Sequence, residues 1–225
     1  MLRTRYLVFD VETTGLLPRS QKNGVVVPIS EYPHILQISF AVYDITQKKI
    51  IREYDAYVKV AEDVVIPDEV TKLTGISREM VNEKGRSIVD VLEKFYEMYM
   101  FCHGLVAHNM KFDEKMILFE VERKRERIMK VAPYCFHTFS DTFEKVHGIE
   151  RFCTMKRGTD LCNIMVPSKL PNGKPRKKWP RLGELYQYLF PGENVEGFHN
   201  SMVDVLACLR CFMKMKFDYD DKNLL

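Results

Sequence analysis

Tyr6-Leu-Val-Phe-Asp10-Val-Glu12-Thr-Thr-Gly15-Leu16 is the stretch whose reading decides this chain. Tyr6 to Phe9 is a short apolar run with aromatic and branched members, so it reads as a buried strand. The run goes straight into Asp10 and Glu12, and residues i and i+2 of a strand share a face. Both carboxylates therefore point to one place. Acidic residues also end strands as simple turn formers, and for this pair alone that plainer reading wins. Thr13, Thr14 and Gly15 put small residues beside the carboxylates, which allows close backbone approach by a ligand.

Outward from that strand the pattern alternates. Pro18 to Gly24 has loop composition. His34 to Tyr43 reads as a second strand and Ile50 to Val58 as a third, with a hairpin across the polar residues from Asp44 to Lys49. A short helical turn starts at Pro67-Asp68 and ends near Thr74-Gly75. Ser87 is placed to cap a helix from Ile88 to Phe101, with Asp90 in its first turn. Leu105 to Ala107 is a short strand. Asn109 follows as the cap of a helix from Lys111 to Arg127. Arg151 to Met155 suits another strand, Pro167 to Pro180 an exposed loop, and Leu182 to Phe190 and His199 to Met213 two helices. Strands come first and helices mix in later, which predicts an α/β sheet sandwiched by helices.

The 225 residues suffice for one domain with a core on both sides of a sheet, so residues 1–225 are expected to form a single unit. The net charge of +3 neither demands nor opposes a nucleic-acid partner, because local patches matter more than the sum. No apolar run reaches the roughly 18–20 residues that span a bilayer. The N-terminal apolar stretch is too short for a signal peptide. An intracellular, cytoplasmic protein without membrane contact is expected. Six cysteines are scattered, and buried free thiols are the expectation; the C-x-x-C spacing of Cys208 and Cys211 lacks a second pair and is a weak zinc signal.

Two further segments carry acidic residues. In Ala107-His108-Asn109-Met-Lys-Phe112-Asp113 a strand stops, a cap follows, and Asp113 falls in the first turn of a helix. Alone, Asp113 would simply complement the helix dipole. In His199-Asn-Ser-Met-Val-Asp204 the aspartate lies at least a turn beyond the histidine, beside the apolar Leu206, Ala207 and Leu209. A carboxylate placed there needs a partner, because burying it unpaired is costly.

Asp-x-Glu, then Asp, then His-x-x-x-x-Asp, in this order, resembles the DEDDh (DnaQ-like) 3′–5′ exonuclease superfamily, which includes ribonuclease T, oligoribonuclease and bacterial proofreading subunits. The matching segments run from about Tyr6 to about Met213, and Leu73 to Ser77 resembles a further segment of the proofreading branch. The region from Cys153 to Tyr186 departs from that branch and is closer to stand-alone exonucleases of phages, other viruses or bacteria. The resemblance implies an RNase H-like αβα sandwich with a central mixed five-stranded sheet flanked by helices. It implies two divalent cations, Mg²⁺ or Mn²⁺, on Asp10, Glu12, Asp113 and Asp204, and hard oxygen ligands suit those metals. In the family pattern Asp10 bridges both cations, Glu12 and Asp204 hold the first, and Asp113 acts at the second. His199 matches the general base that takes a proton from the attacking water, a task suited to an imidazole. The implied product is a nucleoside 5′-monophosphate.

Thr13 and Leu16 match positions that meet the terminal nucleotide, and Phe112 an aromatic position beside the scissile end. His108 and Asn109 either orient the site or cap the helix. Lys174 to Arg181 interleaves basic residues with Trp179, the single tryptophan. That loop reads equally as a phosphate grip with a stacking platform and as a solvated loop anchored by Trp179. Glu122 to Arg127 reads as a solvated helix face.

The expected substrate is single-stranded DNA or a frayed 3′ end. RNA is the nearest alternative, because no residue stands out as a reader of the 2′-hydroxyl. A catalytically silent binding or replication accessory module is a third reading, against which the intact acidic set argues. A homodimer or a polymerase partner is compatible with the resemblance. A dinucleotide-dependent oxidoreductase fails at the first strand, where G-x-G-x-x-G is missing.

Overall fold

A computed structural model describes residues 4–18, 27–168 and 173–225. In chain order its main elements are β1 (Arg5–Thr13), β2 (Ile35–Asp44), β3 (Lys49–Tyr57), α1 (Asp68–Thr74), α2 (Arg78–Lys84), α3 (Ile88–Phe101), β4 (Gly104–Ala107), α4 (Met110–Arg123) and α5 (Arg125–Val131). Then come α6 (Asp141–His147), β5 (Glu150–Cys153), α7 (Thr154–Cys162), β6 (Met165–Val166), β7 (Arg176–Lys177), α8 (Leu182–Leu189) and α9 (Ser201–Phe217).

The five-stranded sheet has the order β3-β2-β1-β4-β5. β1 pairs antiparallel with β2 and parallel with β4, and β4 pairs parallel with β5, so the sheet is mixed as expected. β2 is buried along all ten residues because both of its faces are covered. β3 is one edge, and its exposed charged residues suit that place.

Alternation along β1 sorts its side chains onto two cores. Leu7, Phe9 and Val11 pack with α3 and α4 residues such as Phe95 and Met116. Tyr6 and Val8 pack on the opposite face with Leu185 of α8 and with Val205, Leu209 and Phe212 of α9. Each fully buried side chain of this size contributes about 1.5–3 kcal/mol through lost water contact. Asp10 and Glu12 continue the parity of Tyr6 and Val8. They therefore point toward the side that α9 covers.

Several expectations need correction. β1 carries both carboxylates as expected but does not end with them. It runs through Thr13, with an irregular register between Glu12 and Thr13, so both carboxylates sit inside the strand. α2 was not foreseen, although the Ser77 hydroxyl caps it by accepting from the Met80 N–H at 3.2 Å. The long helix expected from Lys111 to Arg127 breaks at Lys124 into α4 and α5. The strand expected at Arg151 to Met155 ends at Cys153, and α7 follows at once. The loop expected between Pro167 and Pro180 includes β7, which pairs with β6. Its residues 169–172, like most of the loop expected at Pro18 to Gly24, lie outside the described residues. All six cysteines are free thiols.

Candidate active site

Three elements deliver the predicted carboxylates to one end of the sheet. Asp10 and Glu12 come from β1. Asp113 is the fourth residue of α4, and Asp204 the fourth of α9. The N–H of Val11 donates to Asp113 Oδ1 at 3.2 Å, which draws α4 onto the strand between the two acidic residues. Asn200 caps α9, accepting from the N–H groups of Met202 (3.2 Å) and Val203 (3.4 Å). His199 precedes that cap with φ of 70°, and its N–H donates to Asp204 Oδ2 at 3.3 Å.

One ligand atom from each of Glu12, His199 and Asp204 lies within 4.8 Å of the others. Asp10 and Asp113 stand outside that trio but feel the same field. Burial, followed by the charges of Asp113, Asp204 and Glu12, holds the Asp10 carboxyl well above the usual carboxylate range. Burial likewise raises Asp113. Glu12 is pushed up to about 8, by burial first and by Asp204 second. Burial pushes Asp204 up to about 7. Asp113 Oδ2 and Asp204 Oδ1 are buried and accept no hydrogen bond among the described residues.

Orphaned buried oxygens are rare, and each asks for a partner. Four crowded carboxylates repel one another, and a divalent cation removes that repulsion. The donor set of carboxylate oxygens fits a hard cation such as Mg²⁺ or Mn²⁺. Asp10, Glu12, Asp113 and Asp204 are thus the residues that would hold it.

The predicted contact residues divide. Leu16 is 86% exposed and Trp179 64% exposed, so Trp179 is no core anchor. Thr13 is buried, and its hydroxyl donates to the Gly15 carbonyl at 2.7 Å. Phe112 is half-buried against the α3–α4 core. Asn109 does not cap α4 through its side chain. It adopts φ of 63°, and its carbonyl accepts from the Phe112 N–H at 2.8 Å. His108 lies within hydrogen-bonding distance of Thr154 Oγ1 (Nδ1, 2.9 Å) and the Pro180 carbonyl (Nε2, 3.0 Å). A carbonyl only accepts, so Nε2 carries the proton and Nδ1 accepts from the Thr154 hydroxyl. Burial pushes His108 down to about 4, which keeps it neutral. It fastens the end of the basic loop to β4. Within that loop Lys177 pairs with Asp160 at 2.7 Å and Lys178 with Glu184 at 2.5 Å.

Four positioning residues were not foreseen. The Ser201 hydroxyl donates to the Asp10 carbonyl at 2.8 Å, and the Ser201 N–H donates to Gln37 Oε1 at 3.5 Å. Glu120, buried on α4, accepts from the Ile35 N–H at 3.3 Å and pairs with Arg123. Arg123 donates to the carbonyls of Ile29 (3.2 Å), Tyr32 (3.0 Å) and Pro33 (3.2 Å). It is therefore not part of a solvated face, unlike the exposed pair of Glu122 and Arg125 beside it. Thr14 closes this arrangement: its N–H donates to the His34 carbonyl and its hydroxyl accepts from the His34 N–H, both at 2.9 Å. The result is an open cavity of about 620 Å³ lined by Thr14, Gly15, Leu16, Tyr32, His34 and Arg123, among others.

A family model described as an exonuclease (RNase T) matches residues 7–212. The PolC-type DNA polymerase III of Caldanaerobacter subterraneus subsp. tengcongensis is 31% identical over 160 residues, which is 64% of this chain and 10% of that protein. Its counterpart from Clostridium perfringens is 30% identical over 141 residues, 60% of this chain and 8% of that protein. The chain thus spans about a tenth of the length of these curated relatives. Among solved structures, E. coli Exonuclease I in complex with a dT13 oligonucleotide superposes with a TM-score of 0.62 at 18% identity, covering 96% of this chain and 43% of that one. The nuclease domain of 3′hExo, a DEDDh family member bound to rAMP, gives a TM-score of 0.60 at 15% identity, covering 96% and 93%. At such identities these two show a shared fold.

Proposed function

This chain belongs to the exonuclease family, of the DEDDh type, whose members are metal-dependent nucleases, and from that premise we propose that it removes nucleotides from the 3′ end of single-stranded or frayed DNA as nucleoside 5′-monophosphates. The observation that carries the reading is the convergence of Glu12, His199 and Asp204 within 4.8 Å, beside the unpartnered oxygens of Asp113 and Asp204.

Asp10, Glu12, Asp113 and Asp204 would hold two Mg²⁺ or Mn²⁺ ions. When bound, such ions supply positive charge to the attacking and leaving oxygens of an in-line displacement. His199 is exposed and stands beside Glu12 and Asp204, so it accepts the proton of the attacking water and passes it to solvent. The bond between phosphorus and the 3′-oxygen of the penultimate nucleotide breaks. The phosphate leaves on the 5′-oxygen of the released nucleotide. Leu16 offers an exposed apolar surface for the terminal base, and the cavity held open by Arg123 and Thr14 gives it room. Residues 1–225 act together as one exonuclease unit, with the catalytic residues between 10 and 204.

DNA is preferred over RNA because the curated relatives are DNA polymerases and Exonuclease I binds a deoxyoligonucleotide. The same relatives support a replication setting. Among the described residues no helix is long and apolar enough to cross a membrane.

The test uses matched DNA and RNA strands, labelled at the 5′ end in one set and at the 3′ end in the other. With Mg²⁺, a 5′-labelled DNA should shrink as a ladder while a 3′ label is released at once as mononucleotide. EDTA should stop both. A ladder from the 3′ label would reverse the polarity, activity in EDTA would remove the metal, and faster loss of RNA would reverse the substrate.

A further inference from the structure

A second cationic feature lies on the α4–α7 side of the site, away from the cavity beside Leu16. β4 and β5 run parallel with Ala107 opposite Cys153, so α4 and α7 start side by side from the same edge of the sheet. Between them opens a cleft of about 580 Å³. Its cationic lining is Lys111, Lys115, Arg151, Lys156 and Arg157, and Met110 and Leu118 add apolar surface.

The charges in this cleft do not cancel. Its one acidic residue, Glu114, is held by Arg151 at 3.0 Å, and Arg151 also binds Glu144 at 2.5 Å. Lys111, Lys115, Lys156 and Arg157 are exposed and form no ion pair among the described residues. Elsewhere cations are in part paired, Lys94 with Glu97, Arg125 with Glu122 and Lys214 with Asp218; the cleft gathers four without an ion pair around one depression. Four unpaired cations around one cleft repel each other, and a polyanion laid along it relieves that repulsion while releasing counterions. The cleft also begins on the catalytic helix: Lys111 and Lys115, four residues apart, share the exposed face of α4, while Asp113 between them turns inward.

We propose that the cleft between α4 and α7 is a track for the phosphodiester backbone of the single strand whose 3′ end occupies the active site. Lys111, Lys115, Lys156 and Arg157 meet successive phosphates, and the exposed Leu118 faces the sugars. The inference rests on the nuclease reading for the identity of the strand. The positive cleft itself does not depend on that reading.

The test neutralises Lys115, Lys156 and Arg157 to Gln in one variant and replaces the remote Lys84 by Gln in another. Anisotropy of a fluorescent single-stranded DNA is measured in EDTA across a KCl series, with thermal unfolding as a check on folding. The triple variant should bind more weakly, and its slope of log K against log salt should be shallower by about 2, one lost contact per side chain on a single strand. Lys84→Gln should match wild type. Both variants should melt close to wild type, because every replaced side chain is exposed and the triple variant gives up only the contact of Arg157 over the Phe152 ring. The cleft is overturned if the triple variant keeps the wild-type slope and affinity, or if only a blunt duplex loses affinity. A triple variant that melts early is replaced by Lys156→Gln alone, whose slope should fall by about 0.7. Failure of the nuclease reading looks different: wild type then leaves the strand intact in Mg²⁺, while the salt slope still depends on the three cations.

Discussion

Ser201 donates its hydroxyl to the backbone carbonyl of Asp10 over 2.8 Å. The bond joins the first turn of α9 to the strand that carries two of the four carboxylates. Asp204 stands three residues further along that helix, so this contact helps to set its distance from Glu12. Ser201→Ala removes the hydroxyl donor from the Asp10 carbonyl in a buried place, while the backbone N–H of residue 201 still donates to Gln37. Stability should fall by about 1–3 kcal/mol, with a larger loss in kcat than in KM. Urea unfolding and steady-state kinetics check both. A variant with wild-type kcat would show that α9 is placed by its apolar face alone.

The carboxylates couple cation binding to pH. In the unfolded chain Glu12 and Asp204 release their protons near their ordinary values of 4.5 and 3.8, but in the folded protein only near 8 and 7. Across that window the unfolded chain binds fewer protons, so rising pH erodes the stability of the metal-free protein. The contribution is fully present below about pH 4 and lost by about pH 8. The rise in melting temperature on adding Mg²⁺ should therefore be larger near pH 8 than near pH 5. Asp204→Asn should raise the melting temperature in EDTA and shrink the Mg²⁺ increment. An increment that ignores pH would contradict the account.

His108 supports the site without entering the chemistry. Its pKa of about 4 lies below the ordinary 6.5, so the neutral ring contributes stability above pH 6.5, and that contribution fades as pH falls toward 4. His108→Ala should cost about 1–3 kcal/mol at neutral pH, and the gap from wild type should narrow in acid. The shape of the pH–rate profile should stay unchanged. A lost limb of that profile would make His108 a proton carrier instead.

Arg123 holds three carbonyls of the segment that walls the cavity beside Leu16. Arg123→Lys keeps the charge but not the fork of donors. KM for a DNA strand should rise several-fold with kcat little changed, and Arg123→Ala should do more. A fall in kcat at constant KM would place the effect at the carboxylates, through Glu120 and α4.

Much of this was legible from residue patterns, because period and spacing carry it. The apolar run at the start of β1 announces a strand, and Asp10 with Glu12 announces a shared face. What escaped depends on partners remote in sequence. β1 continues through Thr13 because β2 pairs with it there, Glu12 lying opposite Gln37; an acidic residue would otherwise have ended it. α7 was hidden by Gly158, a weak helix former. In the fold Gly158 lets Leu185 come close: a Cβ there would stand 2.8 Å from Leu185 Cδ1. Arg123 looked like one more surface charge, since the carbonyls it binds lie about 90 residues earlier. Ser201 lies inside the segment His199 to Asp204, and only the approach of α9 to β1 gives it a partner.

The central claim is that Asp10, Glu12, Asp113 and Asp204 form a divalent-cation site serving hydrolysis. It is tested most directly by counting Mn²⁺ bound per chain, by electron paramagnetic resonance, in wild type and in Asp10→Asn, with DNA cleavage followed on the same samples. The account predicts two tightly bound ions in the wild type. It predicts loss of at least one in the variant, together with cleavage. Wild type that binds no Mn²⁺, or a variant that keeps full occupancy and full activity, would contradict it.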